Sequence, residues 1–279
     1  MIQTLAPSAY GGFLESVGDG DDAVTHKALV KFHDTDSAVD SYVKVYCVRA
    51  APKGLVNELI GFSLARSGGL LTPPRAAILL LDDEQAAFLP KDMELLRTVD
   101  DHVVSWCVQS LAGKTPKQSF NLAADKSHAL RSMQQDFKKW KELPDVATLD
   151  AWLLNEDRNL GNVIRVSEGR YAVIDHGRVC TGNSWVTPLE KARMKHCNKL
   201  ALAAWDDADL DRAPSSFHLH LVNSFDRHRQ ALQDAASELD YWLSLLVSPA
   251  EEKDASAFMD NRVNSVRDYL KSAFGLLLP

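Results

Sequence analysis

The chain has 279 residues, with 31 Lys and Arg against 38 Asp and Glu and a formal net charge of −7. Hydrophobic residues at 46% and charged residues at 25% are typical of a globular chain and exclude a wholly disordered one. At roughly 150 residues per domain the length suits two units, each able to bury its own core, and the acidic balance speaks against broad, sequence-independent nucleic-acid binding.

The N-terminal stretch MIQTLAPSAYGGF lacks the basic region and long apolar run of a secretory signal. Residues 11–17 read as a strand that enters an acidic, glycine-containing loop at 18–22. Residues 28–32 are a short β-rich run, and an acidic turn at 33–40 separates them from the run 41–48. In that second run Tyr42, Lys44 and Tyr46 share one face, and Val43, Val45 and Cys47 share the other. The two runs are predicted to pair as an antiparallel hairpin. A helix follows, with Leu55, Leu59 and Phe62 spaced along one face and Ile60 and Leu64 widening it. Gly68-Gly69 ends the helix, and Thr72-Pro73-Pro74 turns the chain into the apolar strand 76–81. That run is the longest purely apolar one and is too short to cross a bilayer. Residues 103–111 form another apolar run, either a strand or a connection between lobes. From about residue 125 the pattern is mainly helical, interrupted by a hairpin made of 163–166, a turn at 167–169, and 171–174. The tail from 188 is helical, with 269–278 apolar enough to dock. Cys47, Cys107, Cys180 and Cys197 are scattered without a C-x-x-C pair and read as reduced thiols. The predicted class is α+β, β-rich first and helical second, in a soluble cytoplasmic protein.

The chemistry concentrates between residues 146 and 177. Val146, Leu149, Trp152 and Leu153 mark an amphipathic helix that stops near Asn155. The polar segment 155–162 (NEDRNLGN) then forms a loop, and the following hairpin ends in Asp175. A hairpin brings its two ends together, so Asn162 and Asp175 are expected to be neighbours. An Asn and an Asp oxygen suit a hard cation such as Mg²⁺ that keeps water and phosphate ligands. Phosphoryl transfer needs little more than such a metal site, a carboxylate to orient the attacking hydroxyl, and a lysine for the non-transferred phosphates. Lys44, mid-strand and so fixed in position, is the lysine candidate, and Glu58 on the next helix is its natural ion-pair partner.

NEDRNLGN followed by Ile174-Asp-His-Gly177 resembles the catalytic and metal-binding loops of the HipA-like kinases, relatives of the protein kinases and phosphoinositide kinases. The segments around Val43-Lys-Val45 and residues 55–60 (LVNELI) resemble that family's lysine strand and glutamate helix. The matched order covers residues 41–179, about half the chain. The resemblance implies a bilobal protein-kinase-like fold with a small antiparallel β lobe, 1–105, that binds nucleotide, and a larger helical catalytic lobe, 106–279. It gives Asp157 the role of catalytic base, gives Asn162 and Asp175 to Mg²⁺, and sets Lys44, held by Glu58, on the α- and β-phosphates of ATP. Trp106, Cys107, Val108 and Gln109 would form the hinge that offers backbone groups to adenine. Arg158, within the catalytic motif, either binds a phosphate or carboxylate or braces the loop, bracing being the favoured reading. The implied activity is that of a Ser/Thr protein kinase of toxin-like or regulatory type. Its acceptor would be a protein hydroxyl, in a translation factor or tRNA synthetase for instance, and an antitoxin-like partner is implied too.

The chain departs from the family at Asn159, where many members carry His or Thr, and at 17–26, where a Gly/Ser-rich turn is replaced by two glycines and three aspartates that oppose phosphate. That acidic turn favours an alternative, a pseudokinase serving as a nucleotide-sensing or protein-binding module. A small-molecule or lipid kinase shares the same core and forms a third option. His176 is expected to be structural. Gly113-Lys-Thr115 lacks the upstream glycine of a P-loop, His218, His220 and His228 read as surface and core residues, and the acidic cluster 206–211 reads as a solvated turn. Ser16 and Thr25 lie near enough to the phosphate turn to be candidates for autophosphorylation.

Overall fold

The computed structural model describes residues 1–274 except 20, 21, 187, 190, 191, 193–197 and 208–210, and of Asp19 the backbone alone. Cys197, the tip of the acidic turn at 20–21, the middle of the cluster 206–211 and the end of the apolar tail therefore lie outside the described residues.

The first third is a six-stranded sheet built from β1 (Gln3–Leu5), β2 (Tyr10–Asp19), β3 (Ala23–Val30), β4 (Val39–Tyr46), β5 (Ala76–Leu81) and β6 (Val103–Gln109), with helix α1 (Gly54–Ser67) between β4 and β5. Its order is β1-β5-β6-β4-β3-β2. All neighbours are antiparallel except β1 and β5, which run parallel with Gln3 opposite Ala77, so the sheet is mixed rather than antiparallel throughout. The expected strand 28–32 begins earlier, at Ala23, because β3 pairs antiparallel with β2 as far as Val24 opposite Asp19. The expected boundary at residue 105 falls inside β6, and the chain leaves the sheet only after Gln109.

Strand alternation gives the sheet two different faces. Val43 and Val45 of β4, Ala77 and Leu79 of β5 and Cys107 of β6 bury into one core with Phe32 and Leu89. Tyr46, Ile78 and Trp106 point the other way, into the core that α1 shares with the later helices. Lys44 stands opposite Trp106 in the β4–β6 register and between Tyr42 and Tyr46 on its own strand, on the α1 side. Helix α1 is buried from Gly54 to Ala65, well beyond the single apolar stripe its spacing suggests, because it lies between the sheet and later helices. Its glycines permit that closeness. A Cβ at Gly54 would stand 2.2 Å from the Tyr46 ring, and one at Gly61 would stand 2.3 Å from the His176 Cβ.

The remainder holds α2 (Pro116–Leu122), α3 (Lys126–Lys139), α4 (Leu143–Leu153), the hairpin β7 (Val163–Ser167) and β8 (Arg170–Val173), α5 (Lys199–Trp205), α6 (Ser215–Leu246) and α7 (Pro249–Ala273). Among the described residues the chain is thus α+β, with seven α-helices, one mixed sheet and one two-stranded sheet. Helix α4 is buried over its whole length, and its C-terminus is closed by Leu154 in the left-handed region at φ 54°. Arg262 of α7 donates to the Trp152 and Ala151 carbonyls at 2.8 and 2.9 Å, placing a cation on that helix end. The β7–β8 hairpin is seated by Asp136 of α3, which accepts hydrogen bonds from Arg165, the Gly169 amide and the Tyr171 hydroxyl.

The cysteines Cys47, Cys107 and Cys180 are free thiols. The histidines of α6 do have a carboxylate neighbour: His220 lies 3.3 Å from Asp145, whose backbone oxygen also meets buried His228 at 3.0 Å. Among the described residues no helix is long and apolar enough to cross a membrane.

Candidate active site

Lys44, Glu58 and Asp175 meet although 131 residues separate the first from the last (175 − 44). The Lys44 ammonium lies 2.5 Å from Glu58 Oε1 and 2.8 Å from Asp175 Oδ1. Glu58 is almost wholly buried, and two further donors hold it: the Tyr46 hydroxyl at 3.0 Å and the His176 amide at 2.8 Å. Tyr46 is thus a site residue that motif reading missed, though its place two residues after Lys44 on the same strand face was available as a signal. Burial alone would discharge Lys44, but the carboxylates of Asp175 and Glu58 outweigh it and hold its pKa above the ordinary lysine value. For Asp175 burial pushes upward and is outweighed by Lys44, which brings its pKa down to about 2. Burial lifts Glu58 against the pull of the same ammonium.

Lys44, Glu58, Asp175 and His176 line a cleft of about 520 Å³. Trp106, Val108 and Gln109 also line it, whereas Cys107 points into the core on the opposite sheet face. Residues 106–108, expected in a hinge, pair with strands on both sides. Strand β6 lies between β4 and β5, the Gln109 amide donates to the Arg75 carbonyl, and the Ser110 amide donates to Asp40. The first chain beyond the sheet to face the cleft is at Leu111 and Gly113. Gly113, at φ 137°, lies so near the Arg165 carbonyl that a Cβ there would stand 2.4 Å from it, which closes the cleft floor against β7.

The polar loop after α4 also lines the cleft. Buried Arg158 organises it from below: its guanidinium meets Asp150 at 3.2 Å and His176 Nδ1 at 2.9 Å, and donates to the carbonyls of Asn162, Ile174 and Asp175. It braces the loop and does not line the cleft. The Ile174 amide donates to the Asn162 carbonyl at 3.1 Å, so the two hairpin ends are adjacent, as their spacing suggests. Asp175 emerges there in the left-handed region, at φ 60°, a conformation that costs about 1–3 kcal/mol in a non-glycine residue and persists only where its surroundings impose it. Burial, and then Arg158, push His176 well below its ordinary pKa, so the ring is neutral, in keeping with a structural histidine.

Asn162 and Asp175 suit a hard cation. The Asn162 amide nitrogen is committed to the Asp157 carbonyl at 2.8 Å, which leaves its side-chain oxygen as the ligand atom. Asp175 is ionised, and the ammonium meets its Oδ1 at 2.8 Å. A pair of such oxygens leaves room for the phosphate and water ligands that Mg²⁺ prefers.

Asp157 faces elsewhere. It lines a second cavity of about 520 Å³ with Arg178, Thr181 and Lys199, while Asn159, Gly161 and Asn162 of the same loop line the first. Lys199 approaches Asp157 Oδ1 at 3.3 Å and Arg178 approaches Oδ2 at 4.0 Å. Neither cation was visible in the motif, because both are brought in by tertiary folding. Arg178 also grips Asp22 at 2.7 Å, and Asn183 donates to the other Asp22 oxygen at 2.6 Å. This aspartate of the acidic turn is therefore paired with a cation and does not stand as a bare charge. No protein-family model matches the sequence, and no curated protein matches it.

Proposed function

We propose that the chain is an ATP- and Mg²⁺-dependent phosphotransferase of bilobal, protein-kinase-like design, with the nucleotide in the cleft beneath the sheet and the acceptor hydroxyl entering from the Asp157 side. The observation that carries this reading is the Lys44 ammonium shared between Glu58 and Asp175 in the cleft, with Asn162 adjoining the Ile174–Asp175 segment. A lysine fixed by a buried glutamate is a rigid point charge for the α- and β-phosphates. Asn162 and Asp175 would hold Mg²⁺, which would supply neutralisation of phosphate charge. Asp157 orients the acceptor hydroxyl and takes its proton, while Arg158 keeps the loop in shape from beneath.

By its resemblance to the HipA-like kinases the acceptor is a Ser or Thr hydroxyl on a protein, with a translation component as one candidate. The pairing of Asp22 with Arg178 and Asn183 supports an active enzyme over a pseudokinase, since it relieves part of the repulsion expected of the acidic turn.

Incubation with γ-labelled ATP, Mg²⁺ and cell lysate tests the reading on wild type, Asp157→Ala and Asp175→Ala. The expected result is label transfer by the wild type and a loss of about a hundredfold or more in each variant. Tight Mg²⁺-ATP binding by a wild type that transfers no label would instead favour the nucleotide-sensing module.

A further inference from the structure

We infer that Lys199, delivered by α5 rather than by the catalytic loop, is the cation that stabilises the transferring phosphoryl group. The inference rests on the phosphotransferase reading and adds a catalytic residue to it.

The geometry begins at Asp150, buried near the end of α4. One of its carboxylate oxygens, Oδ1, accepts from Asn155 at 3.0 Å and from Arg158 at 3.2 Å, which sets the loop that carries Asp157. The other, Oδ2, accepts from Asn198 at 3.0 Å. Asn198 is the N-cap of α5, its own side-chain oxygen accepting the Leu200 and Ala201 amides at 2.9 and 3.1 Å. Lys199 follows directly. One buried carboxylate therefore sets both the candidate base and the ammonium that lies 3.3 Å from it.

Stability does not explain that contact. The Lys199 side chain is 50% exposed and Asp157 35% exposed, and exposed pairs of this kind contribute little to folding. Among the described residues the other cation near Asp157 is Arg178, which is gripped by Asp22, whereas Lys199 stands on the acceptor side.

In the transfer step the acceptor oxygen forms a bond to the γ-phosphorus while the bond to the β,γ-bridging oxygen breaks. The bonding pair leaves with ADP, and the hydroxyl proton passes to Asp157. The negative charge of the transferring group is spread over its three equatorial oxygens as this happens. A flexible lysine stem lets the ammonium move from the Asp157 carboxylate to those oxygens, freeing the carboxylate to take the proton.

The test measures Mg²⁺-dependent binding of ADP alone and of ADP with aluminium fluoride, the latter mimicking the transferring group, in wild type, Lys199→Ala and Lys199→Arg. The wild type is expected to bind the fluoride complex more tightly than ADP. Lys199→Ala should lose about tenfold to a hundredfold of that gain with ADP affinity unchanged, and Lys199→Arg should recover most of it. The urea midpoint of Lys199→Ala should match wild type, and a large drop would mark a structural lysine and overturn the inference. A full fluoride gain in Lys199→Ala overturns it while leaving the phosphotransferase reading intact. A wild type with no gain over ADP removes that reading, and the inference with it.

Discussion

Replacing Lys44 by Met isolates a buried charge whose cost depends on pH. Methionine approximates the lysine stem in volume, and the site is only 16% exposed, so packing changes little. Glu58 then keeps two hydrogen bonds, from Tyr46 and His176, but no cation. Removing one partner of a buried ion pair costs about 3–5 kcal/mol when the other stays charged. Burial already lifts Glu58 above its ordinary 4.5, and in the variant the opposing pull of Lys44 is gone, so its folded-state pKa rises further. A carboxyl whose folded pKa exceeds its unfolded one binds more protons folded than unfolded, and stability falls as pH rises between the two. The slope is at most about 1.4 kcal/mol per pH unit. Urea titrations of Lys44→Met should therefore show a small deficit at pH 5 and one of about 3 kcal/mol or more at pH 8, equivalent to roughly 10 °C in Tm. Adding Glu58→Gln removes the stranded charge, so the double variant should regain at least about half of the pH 8 loss and lose the pH dependence. A deficit equal at both pH values and undiminished in the double variant would refute the reasoning, because the lysine would then act through packing alone.

Two further substitutions probe the frame of the site. Arg158→Met strands the Asp150 charge and takes the guanidinium donor from three loop carbonyls, of which that of Asn162 keeps the Ile174 amide, so urea unfolding should report a loss of about 3–5 kcal/mol, and Lys in its place should recover little because it lacks the fork. A loss below about 1 kcal/mol would mean that the loop is held by other contacts. Gly61→Ala drives a methyl to 2.3 Å from His176 Cβ, so it should cost about 1–3 kcal/mol and weaken nucleotide binding by shifting the 175–177 segment. Unchanged stability and affinity would show that this segment is free to yield.

Period-two alternation made the placement of Lys44 readable, since Val43 and Val45 had to face a core and Lys44 the opposite side. The hairpin after Asn162 made its proximity to Asp175 readable for a similar local reason. What escaped was non-local. Gln3–Leu5 is too short to declare itself a strand, and its parallel pairing with β5 depends on contacts more than 70 residues away (77 − 3 = 74). The Gln109 amide looked free to meet a base because sequence does not say that it donates to the Arg75 carbonyl. Lys199 and Arg178 carry no motif, and only the Asp150–Asn198 bond and the fold of the 175–183 segment bring them to Asp157. The all-round burial of α1 likewise comes from a second layer of helix that its own spacing does not announce.

The central claim, a magnesium-dependent nucleotide site between Lys44 and Asn162–Asp175, is tested most directly by calorimetric titration of ATP with and without Mg²⁺. Wild type should bind ATP at least about tenfold more tightly with the metal, and Asp175→Asn and Asn162→Ala should lose that increment while remaining folded. ATP affinity that is immeasurable, or indifferent to Mg²⁺ in all three proteins, would contradict the account.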